Sequence, residues 1–238
     1  MIMSHYENAW QAVLHRIEVA TRAAGRTPGS VRLLAVSKTF PAEAVRAVYA
    51  LGQRAFGENY VQECAAKRES LADLADVEWH LIGPLQSNKT ALAATACAWV
   101  ESVDRLKIAQ RLSAQRPASM PPLSVCVQVN ASGEASKSGV PADAAVALAE
   151  AVAALPRLAL RGIMGIPEPT ADAAVARAQF RVLRECFEAC RAAGLAVDTL
   201  SMGMSADLEM AIAEGSTEVR VGTALFGPRT YPGEEARR

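Results

Sequence analysis

Lys38 is the residue whose position most directly suggests covalent chemistry. It follows the apolar run Leu33–Val36, so a strand would deliver its amine to a mostly apolar rim. Partial removal of a lysine from water lowers the pKa of its ammonium group and makes the neutral amine available. Such an amine is a nucleophile that condenses with carbonyl compounds. The alternative for Lys38 taken alone is a solvated lysine at a strand end.

A second group of residues, near the end of the chain, has the properties of an anion-binding site. Gly222 and Thr223 follow a predicted strand, and Ser205 lies where a predicted helix begins. Glycine lets backbone N–H groups approach an anion closely, and the first turn of a helix offers unpaired N–H donors. The alternative is that Gly222 only relieves crowding and that Ser205 only caps a helix.

Arg220 is the third residue of interest, because it lies within an apolar strand. It alternates with Val219 and Val221 and therefore points to the opposite face. An arginine inside a barrel is costly unless it is paired. The alternative is that Arg220 faces outward, between helices, and pairs with Glu218 or Glu214.

The elements that must position these residues are visible as short runs of Val, Ile and Leu that alternate with longer Ala-rich stretches. A helix comes first, from about Tyr6 to Ala24, and Gly25 ends it. The pattern then predicts eight strands, at Val31–Lys38, Arg54–Glu58, Glu78–Gly83, Ala98–Val103, Leu123–Asn130, Leu160–Pro167, Thr199–Gly203 and Glu218–Gly222. The helices between the strands are predicted to start near Pro41, Tyr60, Ser87, Arg105, Pro141, Thr170 and Ser205. Pro41 and Pro141 suit a first helical turn.

This alternation predicts an α/β protein of one domain, residues 1–238, folded as a single (β/α)8 TIM barrel with an extra N-terminal helix. An open doubly wound sheet is the alternative. A Gly-x-Gly-x-x-Gly turn after the first strand would favour it, but this chain has Ser37-Lys38-Thr39-Phe40 there. Barrels of this kind place their active site at the C-terminal ends of the strands, often with a phosphate after strands seven and eight.

Composition limits the classes of function. The 25 basic and 25 acidic residues balance, so no basic surplus points to nucleic acid or to an anionic membrane. The five cysteines are scattered in apolar segments and indicate free thiols in a reducing cytosol, although Cys186 and Cys190 have the spacing of half a metal site. The N-terminus lacks the apolar segment of a signal peptide, and no run of apolar residues is long enough to span a membrane. We expect a soluble cytoplasmic protein without a metal.

Seven segments, in order along almost the whole chain, carry a specific resemblance to a known family. They are Leu34–Thr39, Phe56–Glu63, Trp79–Lys89, Ser136–Gly139, Ser201–Ser205, Val219–Thr223 and Phe226-Gly227. Together they resemble the YggS/PROSC group, the pyridoxal phosphate homeostasis proteins. The resemblance implies a barrel like the N-terminal domain of alanine racemase. It also implies that pyridoxal 5′-phosphate (PLP) is bound covalently to Lys38 as an internal aldimine.

The same resemblance implies a role for each further site residue. Ser205, Gly222 and Thr223 would hold the phosphate, and Arg220 would lie beside the pyridine nitrogen. The residues expected to line the pocket around the ring are Asn59, His80 and Met202. Whether His80 is a pocket residue or a core histidine stays open at this point, and Lys137 is considered either as a second PLP site or as a solvated loop lysine.

An arginine beside the ring nitrogen disfavours most PLP catalysis. Arginine stays protonated, so it donates to the nitrogen but does not protonate it, and an unprotonated ring is a weaker electron sink. Racemases tolerate this but need an acid or base on the opposite ring face, which a second domain supplies as a tyrosine in alanine racemase. Tyr60 and Tyr231 are not good candidates for that role, so we predict a protein that is not an enzyme.

The predicted function is therefore to carry or buffer PLP and so to contribute to intracellular vitamin B6 and amino-acid homeostasis. The alternative is a small PLP-dependent amino-acid racemase, and a third class is a regulatory interaction protein whose cofactor is vestigial. The expected partners are PLP and the apo forms of PLP-dependent enzymes, without nucleic acid or membrane, and the expected state is a monomer.

Overall fold

The computed structural model describes residues 2–133 and 138–228, which form a ring of strands covered by helices. The helices are α1 (Ile2–Ala23), α2 (Ala42–Ala50), α3 (Val61–Ser70), α4 (Thr90–Ala96), α5 (Leu106–Gln115), α6 (Ala145–Ala153), α7 (Ala173–Ala192), α8 (Leu208–Ala213) and α9 (Thr223–Phe226). The strands are β1 (Arg32–Val36), β2 (Ala55–Glu58), β3 (Glu78–Leu81), β4 (Trp99–Val103), β5 (Leu123–Asn130), β6 (Val140–Pro141), β7 (Leu158–Gly165), β8 (Thr199–Met204) and β9 (Glu218–Val221).

The strands pair in the order β4-β3-β2-β1-β9-β8-β7-β5, and a further β4–β5 pairing closes the ring. Every pairing is parallel. The short β6 pairs only with the end of β5 and lies outside the ring. The predicted (β/α)8 barrel with an extra N-terminal helix is thus confirmed, and the open doubly wound sheet is excluded.

Strand residues alternate between two cores, as a period of two requires. In β1, Leu33 and Ala35 belong to the main core between the barrel and its helices. Leu34 and Val36 instead pack with Ala55 in a small cluster inside the barrel. Both faces of β1 are therefore buried, and this explains the continuous apolar run of this strand in the sequence.

Several element boundaries differ from the prediction for local reasons. Helix α8 begins at Leu208 rather than near Ser205, because Asp207 accepts a hydrogen bond from the Met204 amide and so closes a turn before the helix. The helix predicted near Thr170 begins at Ala173, after the capping side chain of Asp172. Pro41 and Pro141 directly precede helical turns rather than lying in them. Strand β6 and helix α9 were not predicted.

Some predictions concern residues or properties that this structure does not test. Residues 134–137 and 229–238, which include Lys137 and Tyr231, lie outside the described residues, and the single domain over residues 1–238 stays a prediction. All five cysteines are buried and free. Cys186 contacts the Ala142 carbonyl rather than a further metal ligand. Within the described ranges, each helix is too short or too polar to cross a membrane.

Candidate functional site

A cavity of about 440 Å³ opens at the C-terminal end of the barrel. Small-molecule sites in proteins have about this volume. Six of the eight predicted site residues line it, namely Lys38, Asn59, Ser205, Arg220, Gly222 and Thr223. They lie in or follow four different strands, β1, β2, β8 and β9, so the closure of the barrel brings them together.

Lys38 follows β1 and is half-buried at the edge of the cavity. Apolar side chains of Val36, Ile82 and Ile166 line the same cavity. The structure thus places the Lys38 side chain at a cavity that is partly apolar, and its role there stays a prediction.

At another side of the cavity, the loops after β8 and β9 meet and present small polar groups. The Ala224 amide lies 3.4 Å from the Ser205 hydroxyl oxygen, which accepts its hydrogen bond. The Ser205 carbonyl in turn accepts from Arg16 of α1 at 3.0 Å, so the N-terminal helix holds this loop in place. A Cβ added at Gly222 would lie only 3.2 Å from the Val36 carbonyl oxygen, a distance tighter than most Cβ contacts. Hydroxyls and helix-initial amides in so close a loop fit an anion.

Arg220 lies inside the barrel and is 3% exposed. Its guanidinium donates hydrogen bonds to the Ser201 hydroxyl and to the Gly165 carbonyl, each at 2.8 Å. The alternative that Arg220 faces outward and pairs with Glu218 or Glu214 is wrong. The inward position places a fixed positive charge at the floor of the cavity.

A chain of hydrogen bonds continues from Arg220 into the barrel. The Ser201 hydroxyl that accepts from Arg220 donates to Glu101 at 2.6 Å, and the other Glu101 oxygen lies 2.6 Å from His80 Nδ1. Burial alone would lower the pKa of His80, but its contacts with Glu101 and Glu78 raise the pKa to about 9. His80 is therefore protonated near neutral pH.

His80 and Met202 do not line the cavity, contrary to the prediction. His80 is fully buried and stacks on Trp99, with 4.9 Å between ring centroids. Met202 is also fully buried, in the main core between barrel and helices. Since Ser201 faces the interior of the barrel, the next residue along the strand must face the helices. His80 is thus a core histidine that reaches Arg220 only through other side chains.

The sequence analysis does not identify Glu101 and Ser201, which connect His80 to Arg220. Ser201 lies in one of the seven matching segments, and its alternation with Met202 indicates its direction. Glu101 lies in the middle of β4, where all five residues are buried. A carboxylate within a buried strand indicates a polar partner inside the fold, because a buried charge without one is costly.

The side chains of His80, Glu101 and Glu218 also form a group of potential metal ligands, all within 4.8 Å of one another, in the part of the chain that is described. Both Glu101 oxygens already accept hydrogen bonds, and Arg32 donates to Glu218 at 2.8 Å. Arginine and protonated histidine therefore supply the positive charge that a metal ion would supply. We assign no metal ion to this cluster.

We predict that the free energy of unfolding falls less between about pH 6.5 and pH 9 in His80→Gln than in wild type. Because folding raises the pKa from 6.5 to about 9, protonated His80 stabilises the fold fully below pH 6.5, and this contribution is lost as the pH rises through 9. The difference corresponds to at most about 3 kcal/mol. Urea denaturation across this range measures it, with His15→Gln on the exposed face of α1 as the control. A decline of equal size in wild type and His80→Gln would contradict this assignment.

Comparisons with known proteins agree with this geometry. The family described as "Alanine racemase, N-terminal domain" matches residues 9–230. A protein of Pseudomonas aeruginosa named pyridoxal phosphate homeostasis protein is 61% identical over 219 residues, which are 92% of this chain and 94% of that protein.

Two solved structures are also similar over most of the chain. An unknown protein from Bifidobacterium adolescentis has a TM-score of 0.89 at 38% identity, over 94% of this chain and 95% of that one. PipY from Synechococcus elongatus, solved with PLP bound, has a TM-score of 0.77 at 39% identity, over 89% of this chain and 100% of that one. The chain therefore belongs to the alanine racemase N-terminal domain family and, within it, to the pyridoxal phosphate homeostasis proteins.

Proposed function

We propose that this protein binds PLP in the cavity at the C-terminal end of the barrel, attached to Lys38, and carries or buffers the cofactor rather than turning over a substrate. The observation that carries the proposal is that one partly apolar cavity joins an amine, a buried guanidinium and a loop of hydroxyl and amide donors. A PLP-bound structure of a 39% identical protein supports the choice of ligand.

The phosphate of PLP fits the loops after β8 and β9. Ser205 and Thr223 offer hydroxyl donors, and Gly222 leaves room for backbone amides to approach. Apart from the attachment lysine, the charged residues of the described lining are Arg220 and Glu168, whose charges balance, so the phosphate depends on these hydroxyl and amide donors. Helix α9 has only four residues, and the donors themselves rather than a helix dipole therefore account for anion binding.

Lys38 supplies the covalent attachment. PLP supplies an aldehyde, and the unprotonated Nζ of Lys38 forms a C=N bond to the aldehyde carbon while the aldehyde oxygen leaves as water. Only the unprotonated amine is a nucleophile, so the attachment requires loss of a proton from Lys38. The same bond is broken by water or by another amine, and a carrier requires this reversibility.

Arg220 gives the site a bias against catalysis. It donates to the pyridine nitrogen, and because a guanidinium does not protonate that nitrogen, the ring stays a weak electron sink. Asn59 would contact the ring from the end of β2, where it lines the cavity. His80 and Met202, which do not line the cavity, are not part of the proposed contacts.

The racemase alternative requires a second acid or base beside the ring. In the described part of the lining there is neither tyrosine nor histidine, and Tyr60 is 66% exposed outside the cavity. The relatives' name, pyridoxal phosphate homeostasis protein, also favours a role in cofactor supply. We propose that apo PLP-dependent enzymes are the partners that receive the cofactor. We also propose that the protein works as a monomer in the cytoplasm.

We predict that Lys38→Ala folds normally but loses the covalent bond to PLP and its yellow colour. Borohydride reduction of wild type, followed by peptide mass spectrometry, should locate the adduct on Lys38. Lys107→Ala, at an exposed position on α5, is the control and should keep the adduct. An adduct mapped to Lys89 or Lys137 in wild type would show that the attachment site is wrong.

We predict that Thr223→Val weakens PLP affinity by about 1.5–3 kcal/mol, or about 10- to 150-fold, because it removes a hydroxyl donor to a charged phosphate. Equilibrium dialysis or loss of absorbance on dilution measures the affinity. Thr27→Val replaces another exposed threonine far along the chain and should leave the affinity unchanged. Equal retention of PLP by Thr223→Val and wild type would count against the phosphate contact.

We predict that the loaded protein transfers PLP to an apo PLP-dependent enzyme without racemising amino acids. Recovered activity of the acceptor enzyme measures transfer, and chiral chromatography after incubation with L-alanine measures racemisation. Lys38→Ala is the control for both measurements. Racemisation that disappears in Lys38→Ala would establish the enzyme alternative, whereas partner binding unaffected by Lys38→Ala would favour a regulatory protein.

A further inference from the structure

We propose that Glu63 and Lys67 of α3 act as a positioning clamp for Lys38, which holds the turn that carries this lysine and so sets the rate and strength of its attachment to PLP. The inference rests on the proposed attachment to Lys38. Neither clamp residue lines the cavity, so both would act through the backbone beside the lysine.

The turn that presents Lys38 is unusual in conformation. It follows β1 and is closed by a 3.0 Å hydrogen bond from the Phe40 amide to the Ser37 carbonyl. Within it, Thr39 has φ 71°, in the left-handed region. This region is unfavourable for a β-branched residue, and such a conformation persists only where its surroundings enforce it.

The clamp residues enforce it from both sides of Lys38. The Glu63 carboxylate accepts the amide N–H of Thr39 at 2.7 Å. The Lys67 ammonium donates to the Ser37 carbonyl at 2.7 Å. Glu63 and Lys67, one helical turn apart, are joined to each other at 2.9 Å. The peptide groups before and after the attachment residue are therefore fixed by one ion pair.

A buried carboxylate extends this clamp to β2. Glu58, which is fully buried, accepts from Lys67 at 2.7 Å and from the Ser37 hydroxyl at 2.6 Å. Burial raises the pKa of Glu58 to about 7, although Lys67 opposes the increase. Glu58 directly precedes Asn59 in the cavity lining, so the same cluster fixes the ends of two strands.

Energetics favour a positioning role over a purely stabilising one. Buried ion pairs contribute little net stability, and replacing them with well-packed apolar residues often leaves the free energy of unfolding unchanged or higher. Here the charged groups contact the two peptide groups that flank a single residue, and that residue faces the cavity. What these contacts specify is the direction of one lysine.

Glu63→Ala tests the clamp in the full-length protein. We expect the rate of covalent bond formation with PLP, followed by absorbance, to fall roughly fivefold or more, with a matching loss of affinity, because a hydrogen bond that fixes the turn is absent. Glu69→Ala, at an exposed position on the same helix, is the matched control and should leave both values unchanged. Thermal unfolding of each apo protein establishes that the comparison is made between folded proteins.

A second variant keeps the proposal falsifiable if Glu63→Ala also loses stability. Asparagine tolerates the left-handed region better than threonine. Thr39→Asn in the Glu63→Ala background should therefore recover part of the lost rate. A purely structural role predicts a lower unfolding temperature for Glu63→Ala with an unchanged rate of bond formation, and that result would overturn the proposal, as would the absence of any recovery by Thr39→Asn.

The outcomes also separate this inference from the proposed function. If wild type forms no covalent adduct on Lys38, the proposed function fails. If wild type forms the adduct and Glu63→Ala forms it with wild-type rate and affinity, the proposed function stands and only the clamp is wrong.

Discussion

Arg220 places a guanidinium inside the barrel, where the surrounding groups have to balance its charge. Arg220 has left water almost completely, and burial lowers its pKa, while the nearby carboxylates of Glu101 and Glu218 oppose that effect. Burying a single charge without partners would cost several kcal/mol, so the barrel interior has to supply compensating groups. The Ser201 hydroxyl and the Gly165 carbonyl accept hydrogen bonds from Arg220, and the Glu101 carboxylate behind Ser201 supplies negative charge. One charged network thus occupies part of the barrel interior, where apolar side chains usually pack.

The site is built above this network from elements that meet only when the barrel closes. Lys38 comes from the first strand and Arg220 from the last, and these two strands are hydrogen-bonded neighbours. The amine and the guanidinium therefore lie in one cavity with the polar loops after β8 and β9. In the proposed function, Lys38 would attach the aldehyde and Arg220 would leave the pyridine unprotonated, so the site would hold the cofactor without activating it.

The fold was predictable from the sequence because eight apolar runs alternate with helices, whereas the strand register, which contains irregularities, was not. Lys38, Arg220 and Gly222 were found because strand ends in a barrel converge. The prediction that His80 and Met202 line the cavity was wrong because a resemblance between segments does not give the direction of a side chain. For Met202, the alternation with Ser201 along the strand indicates that direction. The contact between Ser201 and Glu101 joins residues 100 positions apart, so no local pattern shows it. Strand β6 and helix α9 are too short to produce a periodic signal.

The protonation state of the ring nitrogen in bound PLP tests whether Arg220 lies beside it. Nitrogen-15 NMR of PLP labelled at that nitrogen measures this state at neutral pH. We expect the chemical shift of an unprotonated pyridine that accepts a hydrogen bond from Arg220. A shift typical of a pyridinium would contradict this placement, because the guanidinium would then not lie beside the nitrogen.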